Sequence, residues 1–233
     1  LIAHSGGVLY RAGHTEAGCD LAALAGATPA SVICEILNDD GTMARLPDLI
    51  KFSKKHNIKI GTIADLIEYR SKKEKLIKKI SEEKVNTEFG SMNLIMYSDL
   101  LTKNMHLALV KGVIKKNDEV MVRVHEPLSI LDFISRETSH SWPPLKAIEA
   151  INNEEKGVII FLNYNESQDS ITSKLSLKNT ALKKSTDLRN YGIGSQILVD
   201  IGVTKMKLLA APRKMPSMTG YGLQVTEFIE NNL

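Results

Sequence analysis

The sequence predicts an α+β protein made of two mixed α/β domains. Three observations carry that expectation. Strand-like and helix-like segments are interleaved along all 233 residues without a regular βαβ rhythm. Composition is ordinary for a folded chain, with 43% apolar and 24% charged residues. Finally, a dense charged run, ten of the fifteen residues from Arg70 to Lys84, separates two stretches that each have enough apolar residues for a core.

The first stretch begins with the apolar run Gly7 to Tyr10, read as a strand. Thr15 caps a helix with Ala17, Leu21, Leu24 and Ala25 on one face, ending at Gly26. Val32 to Leu37 is apolar and begins β-branched, so it reads as a buried strand ending in the turn signal Asn38-Asp39-Asp40-Gly41. The Asp39-Asp40 pair is assigned to capping that turn and not to a metal. Pro47 opens a second helix that ends in Lys54, Lys55 and His56, cations suited to a helix C-terminus. Ile58 to Ile63 reads as a strand, and Asp65 to Tyr69 begins a helix.

The charged run reads as a solvated linker leading into an exposed element. The second stretch is strand-rich at first: a hairpin around Phe89-Gly90, then strands at Met92 to Tyr97, His106 to Val110 and Val120 to His125. Pro143-Pro144 opens a helix through Ile151, and the unbroken apolar run Gly157 to Leu162 is a buried strand. Residues 163–187 read as a loop. A helix over Tyr191 to Ile201, a strand over Met206 to Leu209 and a closing segment from Gly220 to Phe228 complete the series.

Several classes of function are disfavoured. A net charge of +3 is too small a surplus for a nucleic-acid face, and the basic run is short, mixed in sign and free of aromatics. No apolar run approaches the length that spans a bilayer, and no signal-peptide pattern is present, so a cytoplasmic protein is expected. Cys19 and Cys34 sit in apolar sequence and are expected to be buried thiols.

One segment has chemical logic of its own. Arg11-Ala12-Gly13-His14-Thr15 follows an apolar run and opens a helix, where backbone N–H groups bind phosphate. Gly13 permits close approach, Arg11 adds bidentate contacts, and His14 suits a metal ligand or an acid–base group. Glu35, inside an apolar run, must be paired, bound to metal or raised in pKa. Spacing alone leaves an equally simple alternative: a helix cap, a surface arginine and a glutamate tied to a nearby base.

The wording of residues 1–70 resembles the C-terminal half of 3,4-dihydroxy-2-butanone 4-phosphate synthase, through RAGHTEA, CE-x-x-NDDGTMAR and DLIEYR. That family converts D-ribulose 5-phosphate to L-3,4-dihydroxy-2-butanone 4-phosphate and formate with magnesium or manganese. The resemblance implies that Arg11 to Thr15 belong to the substrate site, with Arg11 and Thr15 on the phosphate, His14 on the metal, and Glu35 as an essential proton-transfer carboxylate. It also implies a homodimer. The family's acidic loop and a second histidine would precede Leu1, so this stretch alone is expected to be inactive and poorly stable.

Residues 85–226 resemble GTP cyclohydrolase II, through Phe89-Gly90, His106 to Gly112, Val122 to His125, Leu188 to Leu198 and Gly220 to Leu223. That family holds zinc with three cysteines. Here the corresponding positions are Leu128, Ser139 and Ser141, and no cysteine follows Cys34. Leucine cannot ligate zinc and serine is a poor substitute for thiolate. His125 and His140 are expected to be packed or solvated. The family's EGRGIG loop falls near Tyr164 to Ser170, which lacks Arg and Gly, and Arg213-Lys214 stands alone at a nucleotide-contact position. Tyr191 to Gly194 reads as helix–strand packing.

The expected organisation is therefore a synthase piece over 1–72, a linker over 73–84 and a cyclohydrolase-like domain over 85–233 without zinc and without GTP cyclohydrolase II activity. The expected function is riboflavin biosynthesis by the complete protein, a lyase. The alternatives are a non-catalytic scaffold or nucleotide-sensing module, and, further off, a bifunctional enzyme.

Overall fold

The computed structural model describes residues 1–126, 142–163 and 191–231. The helices are α1 (His14–Leu24), α2 (Leu46–His56), α3 (Ile63–Ser71), α4 (Pro144–Asn152) and α5 (Tyr191–Ile201). The strands are β1 (Ile77–Thr87), β2 (Gly90–Asp99), β3 (Met105–Lys111), β4 (Glu119–His125), β5 (Gly157–Phe161), β6 (Lys205–Leu209) and β7 (Gln224–Ile229). They form one mixed sheet in the order β1-β2-β3-β5-β4-β6-β7. β1, β2, β3 and β5 pair antiparallel in turn, whereas β4 runs parallel to β5 and β6, and β6 parallel to β7.

Strand alternation builds two cores. Val120 and Val122, Val158 and Ile160, and Met206 and Leu208 point to one face, covered by α5, α3 and two 3₁₀ turns, Gly7–Leu9 and Pro216–Tyr221. Ile159, Phe161 and Leu209 point to the other, covered by Ala147, Ile148 and Ile151 of α4. β5 is buried along its whole length, as its unbroken apolar run requires.

The expected linker is partly sheet. β1 begins at Ile77, and its charged residues Lys78, Lys79, Glu82, Glu83 and Lys84 line an exposed edge strand. Charge on an edge strand discourages pairing with other chains. Nor do the first 72 residues stand apart: Val8, Leu9, Tyr10 and Ile67 lie in the same core as the strands.

Three expected strands are not strands. Gly7 to Leu9 is a 3₁₀ turn. Gly7 has φ +59°, and a Cβ there would sit 2.1 Å from Asp20 Oδ1, so both conformation and space demand glycine. Val32 to Leu37 is irregular and exposed apart from half-buried Ile36, and its one bridge is Leu37 to Met43 across the Asn38–Gly41 turn. Residues 58–62 are likewise irregular and exposed. β-propensity yields an extended backbone, but a strand also needs a partner edge, and none of the described residues supplies one here.

The helices follow their signals more closely. Gly26, at φ +77°, closes α1 in a two-bond cap in which Ala27 N–H donates to Ala22 O and Gly26 N–H to Ala23 O, both at 2.9 Å. The expected apolar face of α1 reaches the core only at its start, where Ala17 packs against it, and Leu21 and Leu24 are exposed. Cys34 is exposed and Cys19 half-buried, contrary to the buried thiols expected. No helix among the described residues is long and apolar enough to cross a membrane.

Candidate functional site

The Arg11–Thr15 segment opens α1, but Thr15 is the helix's second residue and not the expected cap. Gly13 is the N-cap in an extended conformation, and its side of the helix leaves no room for a Cβ, which would lie 2.3 Å from Glu16 Oε2. His14 is exposed on the first turn, and Ala12 and Thr15 are half-buried. The amides of this turn lie at the helix dipole's positive end, which favours an anion, and the Glu16 carboxylate lies there, bonded also by its own N–H.

Glu16 organises the segment, and the sequence reading missed it. Its carboxylate is buried and accepts hydrogen bonds from Arg11 Nε at 2.9 Å, from Arg11 Nη2 and from His4 N–H at 2.9 Å. Burial pushes this carboxyl up, but the Arg11 guanidinium and the His4 amide outweigh it and hold it below its ordinary value. The bond to Glu16 likewise raises the Arg11 pKa. The Arg11 side chain remains 41% exposed, so the pair fixes its direction without covering it. An acidic residue in the first turn of a helix, one position after the proposed cap, was the available signal.

The chain leading into this segment is held from both sides. Asp20 Oδ2 accepts Val8 N–H at 2.8 Å and Arg70 Nη1 at 2.7 Å, and Arg70 also donates to Gly6 O. From the sheet's cover, the Tyr221 hydroxyl donates to Leu9 O at 2.8 Å. His4 stacks on Tyr10 with ring centres 3.7 Å apart. Burial, then the charges of Asp99 and Glu126 and a hydrogen bond with Asp99, push the Tyr10 phenol up to about 12.

Glu35 is not brought into this arrangement. It is exposed, on an irregular segment whose residues Ser31 and Ile33 lie against Gly18 of α1. Among the described residues no hydrogen bond or ion pair reaches its carboxylate, so the pairing expected of a buried glutamate is replaced by solvent. Asp40 behaves as expected of a turn residue: its Oδ1 accepts Thr42 N–H at 2.9 Å and the Thr42 hydroxyl at 2.6 Å.

The donors present do not complete a divalent-cation site. No three His, Cys, Asp or Glu side chains cluster among the described residues. Magnesium and manganese favour oxygen ligands, whereas the segment offers one exposed imidazole, and its nearest carboxylate, Glu16, is committed to Arg11.

At the other expected site, Leu128, Ser139, Ser141, His140 and Tyr164 to Ser170 lie outside the described residues. His125 is buried at the end of β4, with its ring 6.1 Å from that of Phe161. Arg123 is also buried and donates to Leu209 O at 2.8 Å. Gly192 and Gly194 are buried packing positions of α5: a Cβ on Gly194 would touch Val124, and one on Gly192 would strike Leu9 O. Arg213 and Lys214 are exposed.

Residues 78–230 match the family model of GTP cyclohydrolase II, and residues 1–69 match that of 3,4-dihydroxy-2-butanone 4-phosphate synthase. The synthase match thus occupies the N-terminal residues of this chain. A 3,4-dihydroxy-2-butanone 4-phosphate synthase of Neisseria meningitidis serogroup B is 49% identical over 230 residues, covering 99% of this chain and 63% of the relative. The riboflavin biosynthesis protein RibBA of Aquifex aeolicus is 45% identical over 242 residues, covering 97% and 60%. The crystal structure of RibBX, a two-domain 3,4-dihydroxy-2-butanone 4-phosphate synthase from A. baumannii, matches with a TM-score of 0.59 and 40% identity, over 99% of this chain and 63% of that one. The chain therefore spans a little under two thirds of the length of these relatives.

Proposed function

The chain belongs to the GTP cyclohydrolase II family through residues 78–230, and from that membership, joined to the synthase match at residues 1–69, we propose that it is part of a lyase of riboflavin biosynthesis. In the complete protein the reaction is conversion of D-ribulose 5-phosphate to L-3,4-dihydroxy-2-butanone 4-phosphate and formate. Residues 1–72 correspond to the C-terminal half of the synthase domain, and residues 85–233 to a cyclohydrolase-like domain that no longer opens GTP.

One observation carries the synthase reading: Arg11, aimed by buried Glu16, stands half-exposed beside the first turn of a helix that opens Gly13-His14-Thr15. A cation of fixed direction next to a helix N-terminus suits the phosphate end of a sugar phosphate. Arg11 and Thr15 hold that phosphate, with Ala12 and Gly13 allowing its approach. Glu35 is the proton-transfer group. Its exposure is compatible with that role only if the segment 31–36 closes on the substrate. By the resemblance, magnesium or manganese would sit at His14, where the described residues alone do not complete a site.

The loss of GTP chemistry rests on sequence. Leu128, Ser139 and Ser141 stand where three zinc-binding cysteines would be, and no cysteine follows Cys34. A second reading, that this domain is a scaffold or a nucleotide sensor, draws support from the core it shares with Val8, Leu9 and Tyr10. A cytoplasmic homodimer belongs to the same proposal.

The test is formate release from ribulose 5-phosphate with magnesium, measured on this chain and on a version extended upstream with the residues its relatives carry. Activity in the extended protein that falls at least a hundredfold in Glu35→Gln supports the assignment. An inactive extended protein refutes it. Stoichiometric zinc by metal analysis, or turnover of GTP, refutes the account of the second domain. Calorimetric titration with GTP separates sensor from scaffold.

A further inference from the structure

We infer that Tyr221, in the cyclohydrolase-like part, is a positioning residue for the substrate segment of the synthase part, acting through the Leu9 carbonyl. The inference rests on the synthase reading above and gives the second domain a specific task in it.

Leu9 lies two residues before Arg11, inside the buried 3₁₀ turn that delivers the chain to α1. Its carbonyl is met from the second part of the chain twice. The Tyr221 hydroxyl donates to it at 2.8 Å, and Gly192 of α5 packs so closely that an added Cβ would lie 1.7 Å from the oxygen. Tyr221 is itself fixed, being buried between α3 and α5 where Gly220 would meet Ala64 O at 2.6 Å if it had a Cβ. The first part holds the same stretch through other groups: Arg70 and Asp20 hold Gly6 and Val8, the amides of Tyr10 and Arg11 both donate to Gly7 O at 3.0 Å, and His4 stacks on Tyr10. Between Val8 and the Glu16 anchor of Arg11, the Leu9 carbonyl is thus the point at which the second part sets the backbone. Displacing that oxygen moves Tyr10 and Arg11, and a guanidinium displaced by an ångström loses bidentate contact with a phosphate.

Such a residue touches no substrate, so its loss should weaken the grip on the phosphate more than it slows chemistry. The variant is Tyr221→Phe, in the protein extended upstream as above, which keeps the ring and removes only the donor. The expected result is a KM for ribulose 5-phosphate raised about five- to tenfold with kcat within about twofold. Amide hydrogen exchange should quicken about tenfold at residues 9–16 and stay unchanged in β3, β4 and β5. Unchanged exchange at residues 9–16, or a rise spread evenly through the sheet, overturns the inference, because the residue is then irrelevant or merely structural. Should Tyr221→Phe fail to fold, the wild type supplies a second reading. Coupling is reciprocal, so ribulose 5-phosphate that slows exchange at residues 11–15 should also slow it at residues 219–223. Protection at the first segment without the second overturns the inference. If the wild-type extended protein neither binds nor turns over the substrate, the synthase reading falls, and exchange in Tyr221→Phe still decides whether Tyr221 sets the segment.

Discussion

Residues 21–60 and the described residues of 90–162 are similarly supplied with apolar side chains, yet many of these end in opposite environments. In the sheet, Val122, Val158, Ile160 and Leu162 have no exposed surface. In the earlier stretch, Leu21, Val32, Ile33, Leu37, Met43, Leu46, Ile58 and Ile60 all face solvent, Val32 completely. The difference lies in pairing. Each central strand has neighbours on both edges and helices on both faces. Segments 32–37 and 58–62 lie in no sheet, and 32–37 has a single bridge, Leu37 to Met43. An apolar pattern specifies which face wants cover, and burial follows only where another element of the described chain arrives to provide it.

The largest expected effect breaks this comparison at its strongest point. Ile160→Ala empties space in a strand paired on both sides and should cost about 3–4 kcal/mol. Ile58→Ala, the same truncation in the exposed stretch, should change stability by no more than about 0.5 kcal/mol. Urea unfolding of the two variants measures both. Equal losses would mean that Ile58 is covered in solution, and the contrast between the regions would disappear.

The next effect tests how the first 72 residues hold the turn that enters the shared core. Asp20 and Arg70 side chains are only 13% and 12% exposed, and they tie the Gly6–Val8 turn to α3. Asp20→Asn leaves Arg70 with Glu74 but weakens the grip on Val8 N–H, and should cost about 2 kcal/mol. If this tie is what seats Val8 and Leu9 in the core shared with the strands, unfolding in this variant should separate into two transitions when followed by circular dichroism and by the single tryptophan, Trp142, which packs on the far face of the sheet. A single transition with the full loss would show that the sheet and the first 72 residues unfold as one unit.

A smaller effect probes a feature that owes nothing to cover. Gly26 caps α1 at φ +77° with open space around it, so Gly26→Ala meets only backbone strain. The expected cost is about 1 kcal/mol. A loss near zero would mean that the end of α1 frays in solution.

Legibility followed the same division. β2 to β6, α4 and α5 were readable because their periodicity coincides with the faces that are buried. The order β3-β5-β4 and the switch from antiparallel to parallel were not, because alternation marks a face and carries no information about which strand lies alongside. Gly7 to Tyr10 was misread as a strand because the cue for a turn, a positive φ at Gly7, depends on Asp20 crowding it from α1. In the candidate site, the helix opening at Gly13-His14-Thr15 was readable from local signals alone. Its organiser was not: Glu16 matters because its side chain turns back to Arg11 and to the amide of His4, twelve residues earlier. Glu35 was read as buried from its apolar neighbours, Ile33 and Ile36, and the unpaired segment left it in solvent.

Acid should produce the smallest effect, since the opposing influences on Glu16 partly cancel. Burial raises its pKa, and the bonds from Arg11 and His4 lower it somewhat further, leaving it below the ordinary 4.5. A carboxyl with a depressed pKa in the folded state binds its proton more weakly than in the unfolded state. Its contribution to stability is therefore fully present above the ordinary carboxylate range and is lost as pH falls through the folded-state value. The expected outcome is a modest fall in stability below pH 4.5, accompanied by loosening of residues 4–16 seen as faster amide exchange there than in β3 to β5. Glu16→Gln should show the same loosening at neutral pH and lose that part of the acid dependence. If acid leaves residues 4–16 as protected as the sheet, Glu16 does not organise the segment, and the direction of Arg11 must be set by the backbone that Leu9 and Tyr221 hold.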